Sequence, residues 1–265
     1  MQEAGPFHPW SVTGRSLVFG HRGGAGLAPE NTLAAFERGV AEGADGLEMD
    51  ARLSRDGEVV VCHDPTLDRT TDASGRVSGF TAAELAGVDA GYRFSTGDGT
   101  WPFRGCGIGV PTLRSVLARF PVQPLIIELK DAEVELARAA VALVREAGAV
   151  DRVCIGSFRR GVLDEVRRLE PRLATGAASD EVRWALYRSW FGLFPRRVPY
   201  RALQVPERRE GQTIVTRRFV RGAHRAGAPV QVWVVNEASD IRRLLGLGVD
   251  GIITDRPDIA KNVIG

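Results

Sequence analysis

Short β-rich runs alternate with amphipathic stretches along this chain, and that rhythm limits the possible folds more than any single motif does. Eight runs stand out, at residues 16–20, 44–53, 125–129, 153–157, 174–177, 202–205, 230–235 and 251–254. Such alternation implies parallel strands joined by helical crossovers. Between the runs, Leu33, Phe36, Val40 and Ala41 keep helical spacing behind Asn31 and Thr32, and Gly43 supplies a stop. Residues 131–147 form a helix ending at Gly148, and Ser239 or Asp240 caps another that carries Ile241, Leu244 and Leu245. Eight units suit a closed (β/α)8 TIM barrel of the α/β class better than a six-stranded open sheet. The length of 265 residues is near the roughly 250 such a barrel uses, so a single domain over 1–265 is expected.

Composition narrows the class. With 44% hydrophobic and 26% charged residues and a net charge of +2, the chain reads as an ordinary globular protein. No basic stripe marks a nucleic-acid partner. No window approaches the roughly 18 uninterrupted apolar residues of a membrane span, and the start lacks a leader pattern, so a cytoplasmic location is expected. Cys62, Cys106 and Cys154 are odd in number and unpaired by motif; Cys62 and Cys154 sit in apolar runs and read as reduced core residues.

Chemistry-bearing residues gather at the ends of the apolar runs. In the second run Glu48, Asp50 and Arg52 share one face, and in the third Ile126, Glu128 and Lys130 do. Parallel strands are ordinarily apolar on both faces, so a polar face here needs partners at the barrel mouth. Converging Glu48, Asp50 and Glu128 would repel one another unless protonated or neutralised. One divalent cation answers that, and all-oxygen ligation favours Mg²⁺, Ca²⁺ or Mn²⁺ over Zn²⁺. Strand-end salt bridges with Arg52 and Lys130 are the plainer alternative.

His21 and His63 each follow an apolar run, Leu17–Phe19 and Val59–Val61, which delivers them to a rim. Their ordinary pKa suits proton transfer at neutral pH. Together with the carboxylates they supply what metal-assisted phosphodiester hydrolysis needs. Arg22 and Lys130 add positive charge for a phosphate, and Gly23 and Gly24 allow close backbone approach. His8 and His224 lack such a setting and read as structural or exposed. Trp233 reads either as a wall beside the substrate alcohol or as core.

Two stretches depart from the rhythm. Residues 64 to about 110 are too long for an ordinary βα loop and follow His63, so they read as a small insertion after strand 2, folded over the catalytic end, with Thr81–Leu85 as a short capped helix. A surface excursion without a role is the alternative. Residues 183–197 mix aromatics and arginines; they read as a barrel helix packing Trp184, Tyr187 and Phe191 inward, with peripheral lipid contact as the other reading.

These motifs, in order across nearly the whole chain, resemble the glycerophosphodiester phosphodiesterase family. The resemblance rests on His21-Arg22-Gly23-Gly24 with Pro29-Glu30-Asn31-Thr32, Gly46-Leu47-Glu48-Met49-Asp50, Val61-Cys62-His63-Asp64 and Leu67-Asp68-Arg69-Thr70-Thr71. It continues through Ile127-Glu128-Leu129-Lys130, Ser157-Phe158, residues 232–236 and Asp250-Gly251-Ile252-Ile253-Thr254-Asp255. It implies a TIM barrel with an insertion between the second strand and its helix. It also implies hydrolysis of a small-molecule glycerophosphodiester to an alcohol and sn-glycerol 3-phosphate. By position, His21 and His63 are the acid/base pair, Glu48, Asp50 and Glu128 hold the divalent ion, Arg22 and Lys130 hold phosphate, and Trp233 lines the alcohol side. Lysophospholipase D or sphingomyelinase D type activity, and a non-catalytic phosphodiester-binding barrel, are the alternatives.

Overall fold

The first strand, β1 (Leu17–Gly20), is buried along its whole length, as a strand covered on both faces must be. A computed structural model of the chain describes residues 10, 12 and 15–265. Seven more strands run parallel to β1: β2 (Gly46–Leu53), β4 (Leu125–Leu129), β5 (Val153–Gly156), β6 (Ala174–Thr175), β7 (Leu203–Pro206), β10 (Val230–Trp233) and β11 (Gly251–Thr254). They hydrogen-bond in the order β6-β5-β4-β2-β1-β11-β10-β7, while β8 (Arg208–Arg209) and β9 (Gln212–Thr213) form a separate antiparallel hairpin. A parallel bridge between Gly176 and Ala202 joins the two ends, and Arg201 N donates to Thr175 O at 2.8 Å, so the sheet curls into the expected eight-stranded barrel.

Alternation along each strand separates two layers. Leu17, Phe19, Ile126, Cys154, Ala174, Ala202 and Ile253 fill the inside, with Trp10 stacked on Phe19 at a centroid distance of 5.9 Å. Outward residues such as Leu47, Met49, Leu125 and Ile127 meet the helices α1 (Leu33–Ala41), α3 (Leu113–Arg119), α4 (Val134–Glu146) and α5 (Arg160–Leu169). On the other side, α6 (Ser179–Trp190), α7 (Arg217–Arg225), α8 (Ala238–Leu245) and α9 (Pro257–Ile264) cover β7, β10 and β11. No helix among the described residues is long and apolar enough to cross a membrane.

The apolar run Val59–Val61 (β3), which precedes His63, returns antiparallel along β2, pairing Val61 with Ala51 and Val59 with Leu53. Several details differ from the sequence expectation. The helix expected from residue 131 starts at Val134, because Asp131 is captured by the Arg52 guanidinium and the Leu53 amide. The helix expected to be capped by Ser239 or Asp240 starts at Ala238 behind Glu237, and Asp240 pairs with Arg243 at 2.7 Å instead. The aromatic face of α6 is reversed. Ala185, Leu186 and Ser189 face inward, while Trp184, Tyr187 and Phe191 are exposed.

Residues 54–112 separate β2 from α3 and hold their own small core of Val60, Cys62, Leu67, Val77, Leu85, Ala90 and Val110. Within them α2 (Ala82–Ala86) carries a capping box between Thr81 and Glu84. Cys62 and Cys154 are buried free thiols; burial pushes Cys62 up to about 11 and Cys154 up to about 12. His224 Nε2 pairs with Asp250 at 2.8 Å, and His8 lies outside the described residues.

Candidate active site

Where β1 ends the chain turns sharply: Arg22, Gly23 and Gly24 all take positive φ, of 50°, 92° and 112°. A Cβ on Gly23 would come within 2.7 Å of the Ala35 backbone, so the turn lies flat against α1. That turn aims the Arg22 amide at Glu48 Oε2, 2.9 Å away, and leaves His21 facing across the mouth. Nδ1 of His21 lies 2.7 Å from Asp255 Oδ1, and its Nε2 lies 4.0 Å from Glu48 Oε2. Asp255 in turn accepts from Asn236 Nδ2 at 2.9 Å. Burial works against the imidazolium, but the Asp255 hydrogen bond and the Glu48 charge outweigh it, so His21 titrates above its ordinary value.

The carboxylates come from adjacent strands. Register pairs Asp50 of β2 with Glu128 of β4, and Glu48 sits two residues earlier on the same inner face. One oxygen from each of Glu48, Asp50 and Glu128 lies within 4.8 Å of the others. Lys130 Nζ reaches Asp50 Oδ1 at 3.0 Å and Glu128 Oε1 at 2.8 Å, and Asn31 Nδ2 donates to Asp50 Oδ2 at 2.8 Å. Arg22 Nε lies 3.2 Å from Asp50 Oδ2 but off the line of a hydrogen bond.

These contacts divide the charge unequally. Burial would raise Asp50, yet Lys130 and Arg22 outweigh it and hold the carboxyl below its ordinary value. Glu48 is pushed up to about 7 by burial and by repulsion from Asp50. Burial also raises Glu128, against the pull of Lys130. With all three carboxyls ionised the cluster would carry more negative charge than Lys130 and Arg22 offset, and its donors are all oxygen, which fits a hard divalent ion. Of the strand-end salt bridges considered from the sequence, only those of Lys130 form; Arg52 pairs with Asp131 instead.

His63 arrives on the turn after β3. Arg52 Nε and Nη2 donate to its carbonyl at 3.0 and 2.7 Å, fixing the backbone. Its Nδ1 lies 2.6 Å from Asp64 Oδ1. Asp64 is gripped by Arg69 and falls to about 2, and Arg69 bonds Glu30, which also pairs with Arg22 at 2.8 Å. A chain of charges thus runs from one histidine's support to the other's neighbour.

His21, Arg22, Glu48, Asp50, His63, Glu128, Lys130 and Trp233 all line one cavity of about 220 Å³ at the C-terminal ends of the strands. Its apolar wall is Ile126, Phe158 and Trp233, the two rings meeting edge to face at 6.2 Å. Trp233 serves as wall and core at once, since it also packs on the inner layer. Glu30, Asp64, Arg69, Asn236 and Asp255, and Asn31 beyond its place at the start of α1, support the site without standing out in the sequence. Their adjacency to strand ends and to the candidate residues was the available signal.

A profile of the glycerophosphoryl diester phosphodiesterase family matches residues 21–259. A glycerophosphodiester phosphodiesterase of Caldanaerobacter subterraneus is 32% identical over 94% of this chain and 98% of its own. The crystal structure of a glycerophosphodiester phosphodiesterase from Agrobacterium tumefaciens, 30% identical, superposes with a TM-score of 0.75 over 94% of this chain and 100% of its own. A phosphodiesterase of Oleispira antarctica, solved in complex with the product sn-glycerol-3-phosphate, is 26% identical with a TM-score of 0.76, covering 94% of this chain and 97% of its own.

Proposed function

The chain belongs to the glycerophosphoryl diester phosphodiesterase family, and on that footing we propose that it hydrolyses glycerophosphodiesters to an alcohol and sn-glycerol 3-phosphate, with His21 and His63 moving the protons. One observation carries the reading: two histidines line one cavity, each with Nδ1 held by a carboxylate, which leaves Nε2 as the nitrogen for proton transfer. The Oleispira product complex supports sn-glycerol 3-phosphate as the phosphorylated product.

Glu48, Asp50 and Glu128 would hold one divalent cation, Mg²⁺, Ca²⁺ or Mn²⁺. Bound there, it supplies Lewis-acid neutralisation of phosphate charge and makes an attacking hydroxyl more acidic. Arg22 and Lys130 orient the phosphate, the first through a planar fork and the second as a point charge. One histidine accepts the proton of the attacking hydroxyl, that of water or the substrate's own 2-hydroxyl, as its oxygen bonds to phosphorus; in the second case water then opens the cyclic phosphate to glycerol 3-phosphate. The other donates a proton to the alkoxide as the P–O bond breaks, so charge never builds on the leaving alcohol. Phe158 and Trp233 form the apolar side against which the alcohol rests.

The test is release of glycerol 3-phosphate from glycerophosphocholine after EDTA treatment and after Mg²⁺, Ca²⁺ or Mn²⁺ is restored. Release is expected to return with a divalent ion and to fall about 10²- to 10⁴-fold in His21→Ala and in His63→Ala. No release with any ion sinks the reading.

A diester bearing a lipid chain is the second reading, and a second cavity favours it. A space of about 350 Å³ opens off the first past Phe158, Ala177, Gln204 and Trp233, with Val182, Leu186, Pro206 and Ile214 on its apolar side and Arg183, Arg209 and Glu210 on its polar side. Turnover of lysophosphatidylcholine in place of glycerophosphocholine would favour that substrate class.

A further inference from the structure

The end of α6 and the turn after it present a surface that the catalytic cavity does not use. Trp184, Tyr187, Trp190, Phe191 and Leu193 are exposed, Phe191 by 75% and Leu193 by 57%. Positive charge gathers in the same region. Residues 183–225 carry eleven arginines against two glutamates, with no lysine or aspartate, in a chain whose net charge is only +2. Among the described residues, Arg209 alone of these arginines forms an ion pair, with Glu210.

Other arginines brace the apolar groups. Arg188 lies 4.6 Å from the Trp184 ring centroid and donates to Leu193 O at 2.9 Å. Arg218 donates to Trp190 O at 2.6 Å. On α7, Arg218, Arg221 and Arg225 follow i, i+3, i+7 spacing and so share one face. They border a cleft of about 400 Å³ whose other lining is Trp190, Phe191 and Gly192.

We propose that this surface docks the protein on anionic lipid bilayers, with the aromatic tips at the interface and lipid phosphates in the cleft of Arg218, Arg221 and Arg225. Amphipathic rings settle at headgroup depth, and clustered arginines are drawn to anionic lipid. A second copy of the chain is a poor occupant, because it would bring two arginine clusters together. Nucleic acid offers no apolar phase for Phe191 and Leu193. Arg183 and Tyr187, earlier on α6 than Trp190 and Phe191, also line the cavity that leads to Phe158 and Trp233.

Cosedimentation tests this on the full chain, with vesicles of phosphatidylcholine alone and of phosphatidylcholine mixed with phosphatidylglycerol, at low and high salt. Wild type is expected on the mixed vesicles at low salt and to leave them as salt rises. Arg218→Ser and Arg221→Ser each lower partitioning at low salt about fivefold and flatten its salt dependence, and Phe191→Ser lowers it at low salt with the salt dependence kept. Thermal melts of the variants report folding without reference to turnover, and unchanged glycerophosphocholine hydrolysis reports an intact site. A negative hydrolysis result therefore leaves the vesicle result standing, and the reverse. The proposal is overturned if wild type stays off anionic vesicles, or if the variants bind as wild type does. Capture of an oligonucleotide or self-association by the same residues, without vesicle binding, overturns it equally.

Discussion

An anion on Nδ1 does two things to an imidazole: it fixes which nitrogen faces the substrate and it favours the protonated ring. Asp255 does both for His21, which makes it a positioning residue. Asp255→Asn keeps the shape and removes the charge. The pH-rate limb set by His21 is expected to move to lower pH, because the imidazolium loses its partner, and kcat to fall about 10- to 100-fold. A purely structural role would lower activity evenly with no such displacement, so the pH profile of kcat/KM decides. His21, Glu48 and Glu128 were legible because charged residues punctuate apolar runs. Asp255 sits in the same kind of place, but it is 234 residues from His21, and only the pairing of Gly20 with Thr254 across β1 and β11 brings them together. One-dimensional pattern carries position along a strand; it does not carry which strand is next door.

Turns and helix faces set the next level. The His21–Gly24 turn depends on Gly23, whose φ of 92° and contact with the Ala35 backbone leave no room for a side chain. Gly23→Ala is therefore expected to cost about 1–3 kcal/mol of stability and to lower activity, since the same turn aims the Arg22 amide at Glu48. A urea midpoint unchanged from wild type would mean the turn relaxes freely. All eight barrel strands were legible at this scale, because the runs recur in step with the amphipathic stretches between them, even where β2 carries charges and β6 is only Ala174–Thr175. Two other features were not. β3 looks like any short apolar strand, and only its antiparallel pairing with β2 shows it to be a hairpin arm that carries His63. In α6, helical spacing is satisfied by Trp184 and Tyr187 as well as by Ala185 and Ser189. Packing against the barrel and α7 selects the smaller pair.

At the scale of the molecule, the three carboxylates meet only once β2 and β4 are in register, so a cation held by them binds the folded chain and not the unfolded one. At a free concentration a hundredfold above Kd that is worth about 2.7 kcal/mol, or roughly 5–10 °C in Tm for a domain of this size. Glu48 adds a pH dependence whose sign is fixed. Its folded pKa of about 7 stands above the ordinary 4.5, so its contribution to stability is fully present below 4.5 and is lost as pH rises through about 7. Without a divalent ion, Tm is expected to decline over that window. With one, the ion must displace the Glu48 proton at the acidic end but not above pH 7, so the Tm gained on adding Mg²⁺, Ca²⁺ or Mn²⁺ to EDTA-treated protein grows with pH. Calorimetry at pH 5.5 and 8, with Glu48→Gln alongside, reads both effects: the variant loses the decline and most of the ion-dependent gain. An equal gain at both pH values that survives in Glu48→Gln would take the ion away from this cluster, and leave the convergence of three acids at one barrel mouth to Lys130 and Arg22 alone.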